Sequence, residues 1–225
     1  MTNFRTFILG LAAAFGLPWL CLIVLPVMKY QQLTPVAYDK DKDGVEGFFP
    51  PAPISAQGQL IYVREGCNQC HTQMIRPSQL GLDGWYKGWG QDQEARPVAA
   101  RPNVLHDYLS EKYALLGIQR VGPDLTNFGW RAPEAAALHA HLYAPRSAHD
   151  WSTMPAYTQL YKLQKIQGPA SDRALKLKKK FAPPAGYEVV PTPEADRLVE
   201  YLLSLKRDYP VPGQSAAVAA SPAKK

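Results

Sequence analysis

Sulfur is scarce in this chain: three cysteines in 225 residues. Two of them, Cys67 and Cys70, stand close together, and Cys21 lies far upstream in an apolar run. No second close pair of ligands accompanies Cys67 and Cys70, which argues against a zinc knuckle. No alternation of strands and helices surrounds them, so a thioredoxin-like redox motif is also disfavoured. If both thiols are spent on a cofactor, no pair remains for a disulfide. The chain lacks an internal repeat, and no second Cys-x-x-Cys occurs in it.

What is present is Cys67-Asn68-Gln69-Cys70-His71. Two cysteines separated by two residues and followed at once by histidine form the covalent attachment motif of c-type haem. Each thiol adds across one vinyl group, so both sulfurs lie along one porphyrin edge, and the adjacent imidazole turns under the ring to ligate iron. One haem, bound through Cys67 and Cys70 with His71 as proximal ligand, makes electron handling the expected function.

The other axial position needs a second donor. Trp151-Ser152-Thr153-Met154-Pro155-Ala156-Tyr157 offers Met154, a thioether on a loop stiffened by the following proline. A soft sulfur ligand raises the reduction potential relative to paired imidazoles. Met74 is too close to His71 to reach the opposite face, and Met28 belongs to the apolar N-terminal run. His106, His139, His141 and His149 remain as rivals that would give a bis-histidine iron.

From Phe7 to Met28 the chain reads FILGLAAAFGLPWLCLIVLPVM, without a charge. About 20 apolar residues cross a hydrocarbon core of roughly 30 Å, so this run is expected to be an uncleaved anchor. A signal peptide cut after Ala12-Ala13-Ala14 would leave another long apolar segment exposed. Cys21 lacks the small preceding residues of a lipoprotein site. Pro18 and Pro26 are tolerable in a membrane where neighbouring helices re-satisfy the freed carbonyls. Flanking charge is nearly balanced between Arg5 and Lys29, so orientation rests on the haem: bacterial c-type attachment takes place outside the cytoplasm. The expected location is the bacterial inner membrane, with residues 1–6 cytoplasmic and the haem domain periplasmic.

Residues 29–54 read as a proline-rich linker. Within them, Asp39-Lys40-Asp41-Lys42-Asp43-Gly44 matches the first half of a calcium loop, but Pro50 occupies the position of the bidentate glutamate. A solvated turn is the favoured reading for Asp39, Asp41 and Asp43. Globular structure is expected over 55–208, mainly α-helical. Ser55 offers an N-cap for a short helix to Glu65. A further helix is expected from Pro133 to Tyr143. The last begins at Pro193 and Glu194, with Leu198, Tyr201, Leu202 and Leu205 on one stripe. Residues 209–225 are Ala-, Ser- and Pro-rich and expected to be disordered.

Gly58, Tyr62 and Cys67 repeat a spacing typical of class I cytochromes c, in which the glycine permits close crossing by the last helix. Val121-Gly122-Pro123-Asp124-Leu125 resembles the Gly-Pro-x-Leu element of those domains, and the resemblance implies that the Pro123 carbonyl accepts the proton of the ligating imidazole. The longer block from Ile61 to Pro77, with Gln73-Met74-Ile75-Arg76-Pro77 after the histidine, resembles the monohaem subunit II of cbb3-type cytochrome c oxidases. GPDL at 122–125, the HLYAPR…MPAY block at 141–157 and the N-terminal anchor extend that resemblance. It departs over 78–120, at Ser78 where an aromatic is expected, and from Gly168 to Pro191, which reads as an insertion.

The resemblance implies a membrane-anchored relay that passes electrons to a haem-copper catalytic subunit I and works beside a c-type cytochrome donor subunit. Oxygen reduction and proton pumping would belong to the catalytic subunit, making this chain an electron-transfer subunit. The alternative is a free-standing anchored cytochrome c that shuttles electrons between other complexes. Arg76 is weighed between a haem propionate, a partner contact and a plain surface residue. The net charge of +6 is concentrated from Arg173 to Lys180, a run that suits anionic headgroups, an acidic partner or solvent. Nucleic acid is not an expected partner.

Overall fold

The computed structural model describes residues 3–51, 55–76, 101–109, 111–207 and 209–213. The expectation for Ser78 lies outside the described residues, as do all of residues 77–100 and the tail from 214 onward.

The chain is mainly helical. Helix α1 (Phe4–Trp19) starts where the Asn3 side chain accepts the Arg5 N–H at 3.3 Å. It passes through a π-helical turn, Leu20–Val24, into α2 (Leu25–Gln31). The three pieces form one helix of 28 residues in which an 18-residue stretch reaches a mean hydropathy of 2.4, long and apolar enough to cross a membrane. It overruns the charge-free stretch at both ends, because Arg5 and Lys29 do not oppose helical backbone. Pro18 offers no N–H to the helix ladder. The helix widens just beyond it, and the Leu25 N–H reaches back to the Leu20 carbonyl. The prolines therefore alter the turn without ending the helix.

The segment read as a linker is folded. Strands β1 (Val36–Ala37) and β2 (Phe48–Phe49) pair antiparallel, Val36 opposite Phe49. Between them stands a single turn, α3 (Lys40–Asp43), closed by Gly44 at φ 72°. Two of its aspartates are occupied by the turn: Asp39 accepts the Asp41 N–H at 3.1 Å and Asp43 accepts the Asp39 N–H at 2.9 Å. Lys42 lies 2.7 Å from Asp39. No cluster of acidic, His or Cys side chains able to hold a metal ion occurs among the described residues. The hairpin is tied to the far end of the chain. Tyr38 donates to the Pro210 carbonyl at 2.9 Å, and Asp43 accepts the Gly213 N–H at 3.2 Å.

The core is organised by α4 (Ala56–Arg64) crossing α7 (Pro193–Ser204). Ser55 caps α4 through the Gly58 N–H at 3.2 Å. Thr192 caps α7, with Pro193 at its first turn and Glu194 and Asp196 placed favourably at the positive end of the helix dipole. A Cβ on Gly58 would lie 2.2 Å from the Arg197 carbonyl oxygen and 2.5 Å from Tyr201 Cβ. Only glycine lets the two backbones approach this closely. Leu198, Tyr201, Leu202 and Leu205 are all buried and join Ile61 and Tyr62 in one cluster. Each such leucine contributes about 1.5–3 kcal/mol by leaving water. Two further helices complete the frame: α5 (Phe128–Arg131), and α6 (Ala135–Tyr143), which adds Leu138 and Leu142 to the cluster.

The stretch that reads as an insertion, Gly168 to Pro191, supplies the loop and second strand of another hairpin. Strand β3 (Tyr161–Lys165) pairs antiparallel with β4 (Tyr187–Pro191), Leu163 opposite Val189. Tyr and paired Val are strand-favouring residues on a half-buried surface, a local signal overshadowed by the surrounding lysines and prolines.

Candidate haem site

The attachment segment leaves α4 through Gly66, at φ 73°, into a 3-10 turn, Cys67–Gln69. The His71 N–H then bonds the Cys67 carbonyl at 2.9 Å, which places cysteines and histidine on one tight loop. Cys67 is buried and Cys70 half-buried, and both are free thiols. Burial pushes the Cys67 thiol up to about 11, partly opposed by a hydrogen bond with the Tyr157 hydroxyl.

His71 is oriented by the opposite loop. Its Nδ1 lies 2.7 Å from the Pro123 carbonyl oxygen, so the imidazole N–H donates there and Nε2 keeps its lone pair. A Cβ on Gly122 would sit 2.3 Å from His71 Cε1, so the Gly-Pro step lets the backbone lie flat against the ring. Burial lowers the His71 pKa, opposed by the bond to Pro123. That favours the neutral form a metal needs.

A polar clamp holds this loop. Asp124 is fully buried and accepts from Thr72 Oγ1 at 2.5 Å, the Met74 N–H at 3.0 Å and the Thr126 N–H at 2.8 Å. Arg120 donates to Thr72 Oγ1 at 2.7 Å and to the Met74 carbonyl at 2.5 Å. Arg131 bonds the Asp124 carbonyl. Gln73, also fully buried, accepts from Tyr201 and Arg207 at 3.1 and 3.0 Å, while its carbonyl accepts from Tyr108 at 2.8 Å. The residues after His71 thus lock it to α7 and to the 120–126 loop. Sequence reasoning missed this clamp: Gln73 and Asp124 lay inside quoted motifs, but Arg120 carried no local signal.

Met154 lies on the loop after α6, its N–H bonded to Ser152 Oγ at 3.3 Å. It is half-buried against the same cluster that holds Cys67, Leu142 and Tyr157. Tyr157 returns the loop to α6 by an N–H bond to the Leu142 carbonyl at 3.0 Å. Among the rival ligands, His139 is engaged at both nitrogens, Nδ1 3.2 Å from the Tyr161 hydroxyl and Nε2 3.5 Å from Asp196. His106 stacks on Phe49 of the first hairpin. His149 is exposed beside Trp151. His141 is half-buried on α6, and burial lowers its pKa, with His149 and His71 acting in the same direction. Arg76 is half-buried at the end of the clamped segment.

These residues fit an iron porphyrin. The donor set combines two thiols, an imidazole with its second nitrogen fixed, and a thioether on a constrained loop. Trp130 Nε1 is buried with no acceptor among the described residues, an unspent donor on the helix that follows the Pro123 loop.

A haem-binding helical domain of the cytochrome c kind, carried by a chain with one apolar helix fit to be an anchor, is the class these features define. More narrowly, the family model described as "Cytochrome C oxidase, mono-heme subunit/FixO" matches residues 12–200, and the chain belongs to that family. It is a one-haem subunit of a cytochrome c oxidase and acts with other oxidase subunits, consistent with the cbb3-type subunit that its haem segment resembles. No curated protein matched the chain.

Proposed function

We propose that this subunit relays electrons to the haem-copper catalytic subunit of a cbb3-type oxidase, through one haem c held covalently by Cys67 and Cys70. When bound, the haem supplies a one-electron couple. His71, its tautomer set by Pro123, would hold the iron through Nε2, and Met154 would be the second donor, favouring the reduced state over a second imidazole. The observation that carries the reading is the 2.7 Å contact between His71 Nδ1 and the Pro123 carbonyl, built on the Gly122 close approach. A histidine immediately after Cys-x-x-Cys needs no such orientation unless its other nitrogen works.

The reading includes an anchor over 7–28, a tether over 29–54, a periplasmic haem domain over 55–208 and a tail over 209–225. Residues 1–6 are then cytoplasmic, and a c-type cytochrome subunit is the donor. Relay requires a fixed distance to the next haem, which an anchor packed among oxidase helices provides.

Purification in mild detergent tests this directly. The account expects the catalytic subunit to co-purify, and a pyridine haemochrome to show one haem with both vinyl groups consumed. A chain isolated alone with full activity as a shuttle would favour the free-standing cytochrome. Unreacted vinyl groups would remove the covalent attachment.

A further inference from the structure

Charge is not spread evenly over this protein. Residues 161–191 hold seven Lys and Arg against Asp172 and Glu188, and so carry five of the chain's six net positive charges. The rest of the molecule is close to neutral.

This segment is built on a scaffold. Leu175 donates its N–H to the Val189 carbonyl at 2.8 Å, alongside β4, and Leu175 and Leu177 pack against the core. Their neighbours Lys176 and Lys178 point outward, and a 3-10 turn, Lys179–Phe181, carries Lys179 and Lys180. Ser171 bonds Glu188 at 2.8 Å and Arg173 bonds Asp196 at 2.5 Å, so the loop is pinned at its base. Lys162, Lys165, Lys176, Lys178 and Lys179 are exposed, and none is in an ion pair among the described residues. A fixed array of like charges repels itself, and an anionic surface relieves that repulsion.

Its position selects the kind of surface. The hairpin leads straight out of the Met154 loop, and Thr192, after β4, returns its N–H to the Leu160 carbonyl at 3.1 Å. Arg64, three residues before Cys67, bonds Glu194 at 2.8 Å at the same end of α7. The basic array therefore stands at the end of α7 that receives Arg64, just before Cys67, and the outgoing chain of the Met154 loop, while Gln73 is held towards the other end. The opposite end leads to Tyr209 and Pro210, which meet the hairpin next to the apolar helix. The 12 residues of α7 separate the two by ~18 Å, more than two Debye lengths of about 8 Å.

We propose that β3, β4 and the loop between them form the docking surface for an acidic redox protein that exchanges electrons with this haem, a proposal that rests on the relay reading above. The separation from the anchor end disfavours the bilayer's own headgroups as the occupant.

The test uses the full chain in zwitterionic nanodiscs, with the soluble domain of cytochrome b5, an acidic haem protein, as reductant. The variant carries Lys176→Glu, Lys178→Glu, Lys179→Glu and Lys180→Glu. A second variant replaces the same four by Gln, and an unchanged haem spectrum certifies folding. At low ionic strength the second-order reduction rate should fall about tenfold to a hundredfold in the Glu variant. The Gln variant should fall less, and the salt dependence should flatten in both. Reduction by ascorbate should stay the same. Rates insensitive to the four charges would overturn the docking proposal and leave the relay intact. A chain without covalent haem would sink the relay reading and this proposal with it. Amine acylation of the four lysines, blocked in phosphatidylglycerol nanodiscs and open in zwitterionic ones, would assign the surface to lipid and overturn the proposal.

Discussion

The two ends of α7 carry charge in opposite ways. At its C-terminal end the charges are buried and matched. Arg207 is 6% exposed, ion-paired with Glu111 and bonded to Gln73 of the haem-binding segment. Nearby, Arg101 grips Asp107 at 2.6 and 2.8 Å. At the N-terminal end the pairs stand in water: Arg64–Glu194 at 2.8 Å with side chains 51% and 48% exposed, and Arg173–Asp196 at 2.5 Å with 55% and 44%. Buried charges that must stay paired hold the C-terminal end of α7 to Gln73 of the haem-binding segment. Exposed ones contribute little to folding and remain available to a partner.

The contrast can be broken most severely at Glu111. Glu111→Leu leaves the Arg207 guanidinium buried without its carboxylate, and should cost about 3–5 kcal/mol in denaturant unfolding. Adding Arg207→Met should recover much of that loss, because it removes the uncompensated charge as well. If the single substitution were as mild as a surface change, the two ends would not differ.

A smaller effect is expected at His139, between the two regimes. Burial lowers its pKa, opposed by Asp196, with Arg173 acting in the same direction as burial. Its folded pKa then lies below the ordinary value of about 6.5, so the unfolded chain binds more protons in acid. The contribution to stability is complete above that value and is lost as pH falls through the folded pKa. His139→Gln should flatten the stability profile on the acid side of neutrality, read by thermal melts across pH. The smallest change is Arg64→Ala. Arg64 and Glu194 are half-exposed and Glu65 keeps its bond from Gln159, so the cost should be about 0–1 kcal/mol and shrink with salt.

The haem segment was legible in the sequence because its chemistry is local. Cys67, Cys70 and His71 declare themselves by spacing, and Gly58 and Pro123 by their place in short motifs. The α7 stripe followed from helical periodicity, and Leu198, Tyr201, Leu202 and Leu205 are all inside. What stayed hidden depends on distant partners. Arg120 gains meaning only when Thr72 and Asp124 are beside it. The first hairpin exists because Phe49 finds His106 and Arg101, and Tyr38 finds Pro210, contacts that cross most of the chain. The second hairpin was masked by composition, since its loop is basic and proline-bearing while its strands are short. The π turn arises from hydrogen-bond register after Pro18, which residue types alone do not specify.

The central claim is a covalently held haem with His71 and Met154 as its axial ligands. The ferric absorption spectrum of the purified full-length chain tests it most directly. The account predicts a low-spin spectrum with the weak far-red band of a thioether bound to ferric iron, and loss of that band in Met154→His with the iron still low-spin and its potential lower. A wild-type spectrum without that band, unchanged in the variant, would contradict the account and hand the distal position to a histidine.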